Sequence, residues 1–195
     1  MEIQSITPIN YGAKLLKKPK ISKIYKNGNV DTEKVSFMEY SPSKKEANIL
    51  DEAVRYWYED KFGGDIAFDA LLIADGEHNP KKNKVYILST QTSHFDSLNP
   101  DKILGMAHVQ TKGKKTVFIN HLQTNPNLLP TPFGKKKDFE YKNIGKAIVK
   151  AIQQINSNRS VILESIYSAI GFYEKLDFEM IDPKYYRMKW KKKHV

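Results

Sequence analysis

The chain has 195 residues, of which 40% are hydrophobic and 11% aromatic, so it can bury a substantial core. This composition excludes an intrinsically disordered protein and a small scaffold held together by disulfides. The sequence contains no cysteine, which also excludes a thiolate nucleophile and a cysteine-ligated zinc site. At this length a single domain is the expectation.

The basic charge is concentrated at the two ends of the chain. The formal net charge is +10, of which residues 1–30 carry +5 and residues 184–195 carry +6. Only three of the 32 basic residues are arginines. Because base recognition depends on the fork of donors that arginine presents, sequence-specific DNA binding is disfavoured. Binding to RNA, the ribosome or another polyanion stays open.

Signals for secretion or membrane insertion are missing from the sequence. Residues 1–20 hold no apolar stretch long enough for a signal peptide, and no uncharged run reaches the roughly 18 residues of a membrane span. A chain without cysteine also suits a reducing compartment. We therefore expect a cytoplasmic protein that does not contact a membrane, while its oligomeric state is left open.

In chain order, the first segment is a lysine-rich stretch at residues 1–33, which predicts a basic and irregular N-terminal extension. Within it, residues 26–29 have the composition of a turn between short extended pieces. Residues 34–40 alternate between apolar and polar side chains and predict a first strand. The main domain is therefore expected to comprise residues 34–195.

A helix is predicted next. Ser43 and Glu46 have the spacing of a capping box, and the apolar residues that follow recur at helical spacing. We expect Gly63 and Gly64 to end this helix. Residues 65–75 are compatible with either a short helix or a strand.

The second half of the chain mixes strands and helices. Three strands are predicted at residues 85–92, 103–110 and 116–124, of which the last two form a hairpin. Residues 125–139 hold three prolines and predict a long loop. A helix, a strand, a helix and one or two final strands follow, at residues 141–155, 161–166, 168–176 and 180–190. This order predicts a mixed, mostly antiparallel α/β sheet flanked by helices.

The most informative segment joins the strand at residues 116–124 to the helix at residues 141–155. The start of a helix attracts anions through its free N–H groups and its dipole, and Gly145 lets a phosphate approach closely. Lys142 and Lys146 lie four residues apart and add positive charge there. The alternative interpretation is a solvent-exposed helix end without a ligand.

A second motif comprises Ala169, Tyr173, Glu174, Lys175 and Phe178. In this order the two motifs resemble those of the GNAT-type N-acetyltransferase superfamily, over about residues 34–190. Lys142-x-x-Gly145-x-Ala147 is similar to its Arg/Gln-x-x-Gly-x-Gly/Ala signature, and the second motif is similar to its Ala-x-x-x-Tyr-Glu-Lys-x-Gly-Phe helix. The chain departs from this pattern where Lys142 replaces Arg or Gln, Asp177 replaces Gly and Ile166 replaces a frequent Asn.

The resemblance implies a GNAT-like fold, acetyl-CoA as cosubstrate and a primary amine as acceptor. The pantetheine arm would pair with a strand edge, and a backbone N–H of that strand would stabilise the oxyanion. The predicted contacts of the arm are Leu122, Gln123 and Thr124. The predicted contacts of the diphosphate are Lys142, Asn143, Ile144, Gly145, Lys146 and Ala147. Residues 135–137, three lysines, either pair with the 3′-phosphate or form a solvent-exposed run.

Tyr173 is the predicted acid that protonates the departing thiolate, with a packing role as its alternative. In the superfamily the reacting face would include Phe118 and Asn120, neither of which is a base. Simple strand alternation puts Ile119, His121 and Gln123 on the opposite face.

The base therefore stays open at this point. His121 has suitable chemistry but would need a bulge to redirect it, and His108 and Glu164 are further candidates. A structural role is the alternative for each histidine. No metal site is expected, because the five histidines show no close ligand pair along the sequence.

Two functions are retained. The first is an acetyl-CoA-dependent N-acetyltransferase with Tyr173, Asn120 and His121 as the candidate catalytic residues. The second is a non-catalytic module that binds a polyanion, RNA or the ribosome, through the basic ends of the chain.

Overall fold

The computed structural model describes residues 12–54, 57, 62–128 and 138–192. Eleven strands and four α-helices lie in this part of the chain. The strands are β1 (Gly12–Lys17), β2 (Lys20–Tyr25), β3 (Val30–Lys34), β4 (Ser36–Ser41), β5 (Asn83–Ser89), β6 (Ile103–Lys112), β7 (Thr116–Thr124), β8 (Phe139–Lys142), β9 (Ser160–Glu164), β10 (Phe178–Asp182) and β11 (Arg187–Trp190). The helices are α1 (Lys44–Val54), α2 (Phe62–Ala74), α3 (Ile144–Ile155) and α4 (Ile170–Glu174).

The central sheet has eight strands in the order β1-β4-β5-β6-β7-β9-β11-β10. Its neighbouring strands are antiparallel except for the parallel pair β7 and β9. A smaller antiparallel sheet has the order β3-β2-β8. The predicted mixed, mostly antiparallel sheet is confirmed.

Helices cover both faces of the central sheet. Apolar residues of α3 and α4, such as Ile148 and Tyr173, pack with β6, β7 and β9 in one buried cluster. Leu50 of α1 and Ile66 of α2 pack with Ile87 and Met106 in a second cluster on the opposite side. We call these sides the α3 face and the α2 face.

Local signals explain where several elements begin. The capping box is present, since Ser43 N–H donates to Glu46 Oε2 at 2.8 Å and Glu46 N–H donates to Ser43 Oγ at 3.3 Å. Residues 26–29 form the predicted turn, in which Tyr25 N–H donates to Asn29 O at 2.9 Å. Asp177 has a φ of 66°, a left-handed conformation that aspartate tolerates and that favours the glycine found there in the superfamily.

Two expectations are corrected, and one stays untested. The described part of the extension, residues 12–33, is ordered into strands, because β1 pairs with β4 and β2 pairs with both β3 and β8. Gly63 and Gly64 do not end a helix but lie in the first turn of α2, so the ambiguous residues 65–75 are largely helical. The boundary between an extension and a main domain at residue 33 stays a prediction.

Other predicted segments are present or fall outside the described residues. The strands and helices predicted after residue 85 are present, with β8 added directly before α3. Residues 129–137 of the predicted loop fall outside the described residues, as do residues 1–11. Among the helices of the described chain, none has the length and apolar character that a membrane crossing requires.

Candidate active site

The parallel strands β7 and β9 separate partway along their length. Their pairing begins at Thr116 with Ser160 and ends at Ile119 with Leu163. Beyond this point, in the part of the chain that the structure describes, residues 121–124 pair with β6 only. The other edge of β7 is therefore free to pair with an extended ligand that carries amides.

A bulge lies where the strands separate. Val109 of β6 pairs with Ile119, and its neighbour His108 pairs with His121, so Asn120 is the extra residue. The bulge resets the alternation of side chains along β7. Ile119 and Val109 pack into the core on the α3 face, whereas His121 stacks with His108 on the α2 face. The expectation that Ile119 and His121 share a face is therefore wrong. The bulge that His121 would need in order to face the other side of the sheet is present.

Two clefts meet along the free edge of β7. The outer cleft, of about 680 Å³, lies between the end of β7, the start of α3 and α4. The inner cleft, of about 420 Å³, lies between the separated strands β7 and β9. Both are lined by Leu122, Gln123, Ala169 and Tyr173. They therefore form one continuous passage, which we call the cofactor cleft.

The start of α3 faces the outer end of this passage. Asn143 has a left-handed φ of 68°, and the first i to i−4 bond of the helix runs from Ala147 N–H to Asn143 O at 2.9 Å. The N–H groups of Ile144, Gly145 and Lys146 precede this bond and have no acceptor within the helix. Five of the six residues at positions 142–147 line the outer cleft, and Ala147 does not.

Gly145 keeps this helix end accessible. A Cβ atom at this position would lie 3.3 Å from Phe172 Cζ and 3.8 Å from Thr124 Cγ2. The first contact is closer than an ordinary van der Waals separation. Any side chain at residue 145 would therefore crowd the floor of the outer cleft.

Tyr173 lies at the junction of the two clefts. It is 9% exposed and packs edge-on against Phe172 and Phe178, with ring centroids 5.0 and 5.7 Å away. Burial raises the pKa of Tyr173 to about 12. The phenol is therefore a neutral hydroxyl donor at physiological pH.

A cluster of acid–base side chains, which we call the histidine cluster, lies on the α2 face behind the inner cleft. His121 lines the inner cleft, and its ring lies parallel to that of His108, with centroids 6.3 Å apart. His108 is 2% exposed, and its Nδ1 lies 2.6 Å from Oδ2 of Asp69 on α2. The Nδ2 atom of Asn120 lies 3.2 Å from the same ring nitrogen, and His78 Nδ1 lies 3.6 Å from the other oxygen of Asp69.

The hydrogen bonds of this cluster fix the state of the His108 ring. Since Nδ1 faces the carboxylate of Asp69, the neutral ring carries its proton on Nδ1 and its lone pair on Nε2. His108 Nε2 is buried and has no hydrogen-bond partner among the described residues. A buried polar atom without a partner is unusual and is typical of a site that handles protons or ligands.

Asp69, His108 and His121 each offer a donor atom, and these atoms lie within 4.8 Å of one another. His108 and His121, which are far apart along the sequence, are thus brought close together by the fold. Two ligands of a tetrahedral zinc ion lie about 3.3 Å apart, given bonds of about 2.0–2.1 Å. The 2.6 Å between His108 and Asp69 is instead the length of a short charge-assisted hydrogen bond. The geometry favours a proton-handling cluster over a metal centre.

Glu164, another candidate base, is engaged elsewhere. One of its carboxylate oxygens accepts hydrogen bonds from Arg187 Nε at 3.0 Å and from Nη2 at 2.7 Å. Although Glu164 lines the inner cleft, this two-pronged contact engages one of its carboxylate oxygens with Arg187. Ile166, in place of the asparagine frequent in the superfamily, also lines the inner cleft and is 66% exposed.

The structure thus brings the three candidate catalytic residues and the predicted cofactor contacts together at one site, whereas Phe118 lines neither cleft. The predicted cofactor contacts line the outer cleft or the adjoining surface of α3, and Asn120, His121 and Tyr173 all line the inner cleft. Asp69 is a site residue that no sequence motif indicates, since residues 65–75 are compatible with either a helix or a strand. Residues 135–137 lie outside the described residues.

Solved acetyltransferase structures share this architecture. A provisionally named N-acetyltransferase from Lactobacillus plantarum aligns with a TM-score of 0.54 at 13% identity, covering 82% of this chain and 99% of that chain. For a GNAT-family acetyltransferase from Staphylococcus aureus the TM-score is 0.52 at 16% identity, with coverages of 82% and 99%. An acetyltransferase from Thermus thermophilus aligns with a TM-score of 0.51 at 9% identity, covering 79% of this chain and 94% of that chain.

No protein-family model matches the sequence, and no curated protein matches it. At identities of 9–16%, the structural similarity establishes the fold alone. The chain has the fold of the GNAT-type acetyltransferases, which confirms the resemblance found in its two motifs at the level of architecture.

Proposed function

We propose that this protein is an N-acetyltransferase that moves the acetyl group of acetyl-CoA to a primary amine. The observation that supports this most strongly is the cofactor cleft, which runs from the N-terminus of α3 along the free edge of β7 to His121 and Tyr173. Acetyl-CoA has the matching order of parts: a diphosphate, an arm with two amides, and a thioester. Its chemical contribution is an acyl group activated for attack by an amine.

Two features of the cleft fit this cosubstrate. Both side-chain polar atoms of Gln123 are buried and have no partner among the described residues, although this residue lines the whole passage. A buried amide without partners is costly, and an arm with its own amides would satisfy it. At the other end, Gly145 leaves the N–H groups of the first helical turn open to a diphosphate.

His121 is the proposed base. Its ring lines the inner cleft, where it would take the proton from the amine nitrogen as that nitrogen bonds to the carbonyl carbon. The Asp69–His108 pair lies directly behind it, and the carboxylate would stabilise positive charge in the cluster. Asn120 flanks the His108 ring from the side of β7, with its side-chain amide 3.2 Å from Nδ1, and is proposed to position the cluster through this close contact.

Tyr173 is the proposed acid. As the bond between the carbonyl carbon and sulfur breaks, its hydroxyl would give a proton to the departing sulfur and later recover one from solvent. Negative charge on the carbonyl oxygen would meanwhile be stabilised by a backbone N–H of β7 beside the bulge. The products are the acetylated amine and free CoA.

Calorimetry tests whether acetyl-CoA binds, and a thiol assay tests whether the acetyl group is transferred with release of CoA. We expect acetyl-CoA to bind with a dissociation constant below about 1 mM, the usual upper range for enzyme substrates. A panel of primary amines should then contain at least one that accelerates CoA release over the rate without amine, with acetylated product seen by mass spectrometry. Failure to bind acetyl-CoA up to about 1 mM at low salt would contradict the proposal.

A further inference from the structure

A second groove adjoins the outer end of the cofactor cleft. It has a volume of about 500 Å³ and lies between the turn that joins β1 to β2 and the outer surface of α3. No acidic residue of the described chain lines it. Its basic lining residues are Lys17, Lys18, Lys20, Lys146 and Lys150, and we call it the lysine groove.

The backbone that carries the first three lysines is held firmly. Ile21, next to Lys20, is 2% exposed and belongs to the core of the α3 face. Val35 N–H donates to Pro19 O at 3.0 Å, and Ser22 pairs with Lys142 across β2 and β8. The positive charges are therefore fixed next to α3 by two strands rather than carried on a free tail.

The charges in the groove are mostly uncompensated. Among the described residues only Lys150 of the five forms an ion pair, in which its Nζ lies 3.3 Å from Asp177 Oδ2. Elsewhere, lysines of this chain do find carboxylates, as in Lys44 with Asp75 at 3.0 Å and Lys191 with Glu179 at 2.8 Å. Four unpaired cations in one concave site repel one another and create a strong local attraction for an anion.

The position of the groove indicates which anion it would bind. It shares Asn143 and Lys146 with the outer cleft, so the two sites are continuous around the first turn of α3. With the thioester end near Tyr173 and the diphosphate at Gly145, the nucleotide end of CoA would point away from the inner cleft, toward this side. CoA carries one further phosphate, a monoester on the 3′-oxygen of its ribose, with a charge between about −1.5 and −2 at pH 7.

We propose that the lysine groove binds the 3′-phosphate of coenzyme A, with Lys18 in the β1–β2 turn and Lys20 at the start of β2 as the main contacts. This inference rests on the proposed function and adds to it a determinant of cosubstrate specificity. The groove would distinguish CoA from thioesters whose carrier lacks this phosphate.

The test compares two ligands on the full chain by calorimetry: acetyl-CoA and acetyl-dephospho-CoA, which lacks only the 3′-phosphate. We expect the unmodified protein to bind acetyl-CoA about tenfold or more tightly than the dephospho form, because charge-assisted contacts are lost. The double variant K18Q/K20Q should lose most of this preference while its affinity for the dephospho form stays within about twofold.

Matched variants separate charge at this place from charge in general. K114Q/K115Q removes the same charge from the turn between β6 and β7, away from the groove, and should keep the full preference for acetyl-CoA. K18R/K20R keeps the charge and should also retain the preference. Thermal unfolding of each variant establishes that it is folded.

Several results would overturn the inference. One is equal affinity of the unmodified protein for both ligands, which would leave the proposed function intact and remove only the 3′-phosphate site. Another is a folded K18Q/K20Q variant whose affinities for acetyl-CoA and acetyl-dephospho-CoA fall by the same factor. A third is tight binding of a single-stranded RNA that K18Q/K20Q abolishes while acetyl-CoA affinity is unchanged, since the groove would then serve a nucleic acid. Binding of neither ligand by the unmodified protein would overturn this inference and the proposed function together.

Discussion

The two faces of the central sheet contribute to the candidate site in different ways. On the α3 face, the proposed contacts to acetyl-CoA come mainly from the backbone of one continuous segment, residues 142–147. On the α2 face, the proposed proton transfer depends on side chains from three separate elements: Asp69 on α2, His108 on β6 and His121 on β7. The first arrangement can be recognised in a short stretch of sequence, and the second exists only in the folded chain.

This difference also separates two steps of the proposed reaction. Backbone N–H groups and an accessible glycine determine how tightly a diphosphate binds. Acid–base side chains act on the transition state and leave cosubstrate binding largely unchanged. Substitutions on the α2 face should therefore lower turnover, and substitutions at the start of α3 should lower affinity.

The largest effect is expected on the α2 face. His121→Gln should lower turnover by about 10²- to 10⁴-fold, the usual contribution of a general base, while the acetyl-CoA dissociation constant stays within about twofold. Asp69→Asn should lower turnover in the same direction, because it removes the charge that faces His108 at 2.6 Å. Initial rates with the best amine of the panel, and calorimetry with acetyl-CoA, measure the two quantities separately.

A matched control is available close to the end of α2. Asp75→Asn makes the same chemical change directly after the helix, where the carboxylate forms a surface ion pair with Lys44 at 3.0 Å. It should leave turnover unchanged and alter the free energy of unfolding by less than about 1 kcal/mol. If Asp75→Asn slowed the reaction as much as Asp69→Asn, or if His121→Gln weakened acetyl-CoA binding tenfold, the division between the faces would be wrong.

The second effect is expected at the start of α3. Gly145→Val should weaken acetyl-CoA binding by roughly 100-fold, because the side chain would displace Phe172 and block approach to the N–H groups, equivalent to losing one or two hydrogen bonds to a charged group. Calorimetry measures the loss.

Gly171→Val provides the control for that substitution. Gly171 lies in α4, and no atom lies within 4 Å of the Cβ that it would gain. We expect this variant to bind acetyl-CoA like the unmodified protein. Equal losses of affinity in the two variants would indicate a general disturbance of the fold instead of a blocked anion site.

The sequence was sufficient for the α3 face because its signals are local. A buried strand, a glycine in the first helical turn and apolar residues at helical spacing all lie within about 40 residues, and the structure has β7 and α3 where they were expected. Tyr173 could be found in the same way, since its motif occupies one short helix. Periodicity and helix capping are properties of neighbouring residues and need no tertiary information.

The α2 face could not be predicted for two physical reasons. The extra residue at Asn120 changes which side of the sheet His121 faces, and no residue of β7 marks the position of a bulge in the sequence alone. Asp69 lies in a segment so apolar that helix and strand were equally plausible, and its contact with His108 spans 39 positions of sequence. Outside this face, the sequence indicated short extended pieces around the turn at residues 26–29 but not their pairing into sheets, because pairing with β4 and β8 depends on residues distant in sequence.

The smallest effect is expected at Tyr173, which lies where the two clefts meet. Tyr173→Phe should lower turnover about tenfold and leave acetyl-CoA affinity unchanged, because a thiol with a pKa of about 8.5 leaves readily even without an acid. Tyr86→Phe, at another buried tyrosine that does not line either cleft, should have no effect on turnover.

The pH dependence distinguishes a proton donor from a packing residue at Tyr173. Burial raises the pKa of Tyr173 from 10.0 to about 12, and a raised pKa keeps the phenol protonated as the pH increases. The ratio of turnover between the unmodified protein and Tyr173→Phe should therefore stay constant from pH 7 to about pH 10. A phenol with the ordinary pKa would lose half its protons by pH 10.0, so a ratio that fell twofold there would show that burial does not protect the donor. A ratio near one at every pH would instead assign Tyr173 to packing and leave the departing sulfur without an acid from this chain.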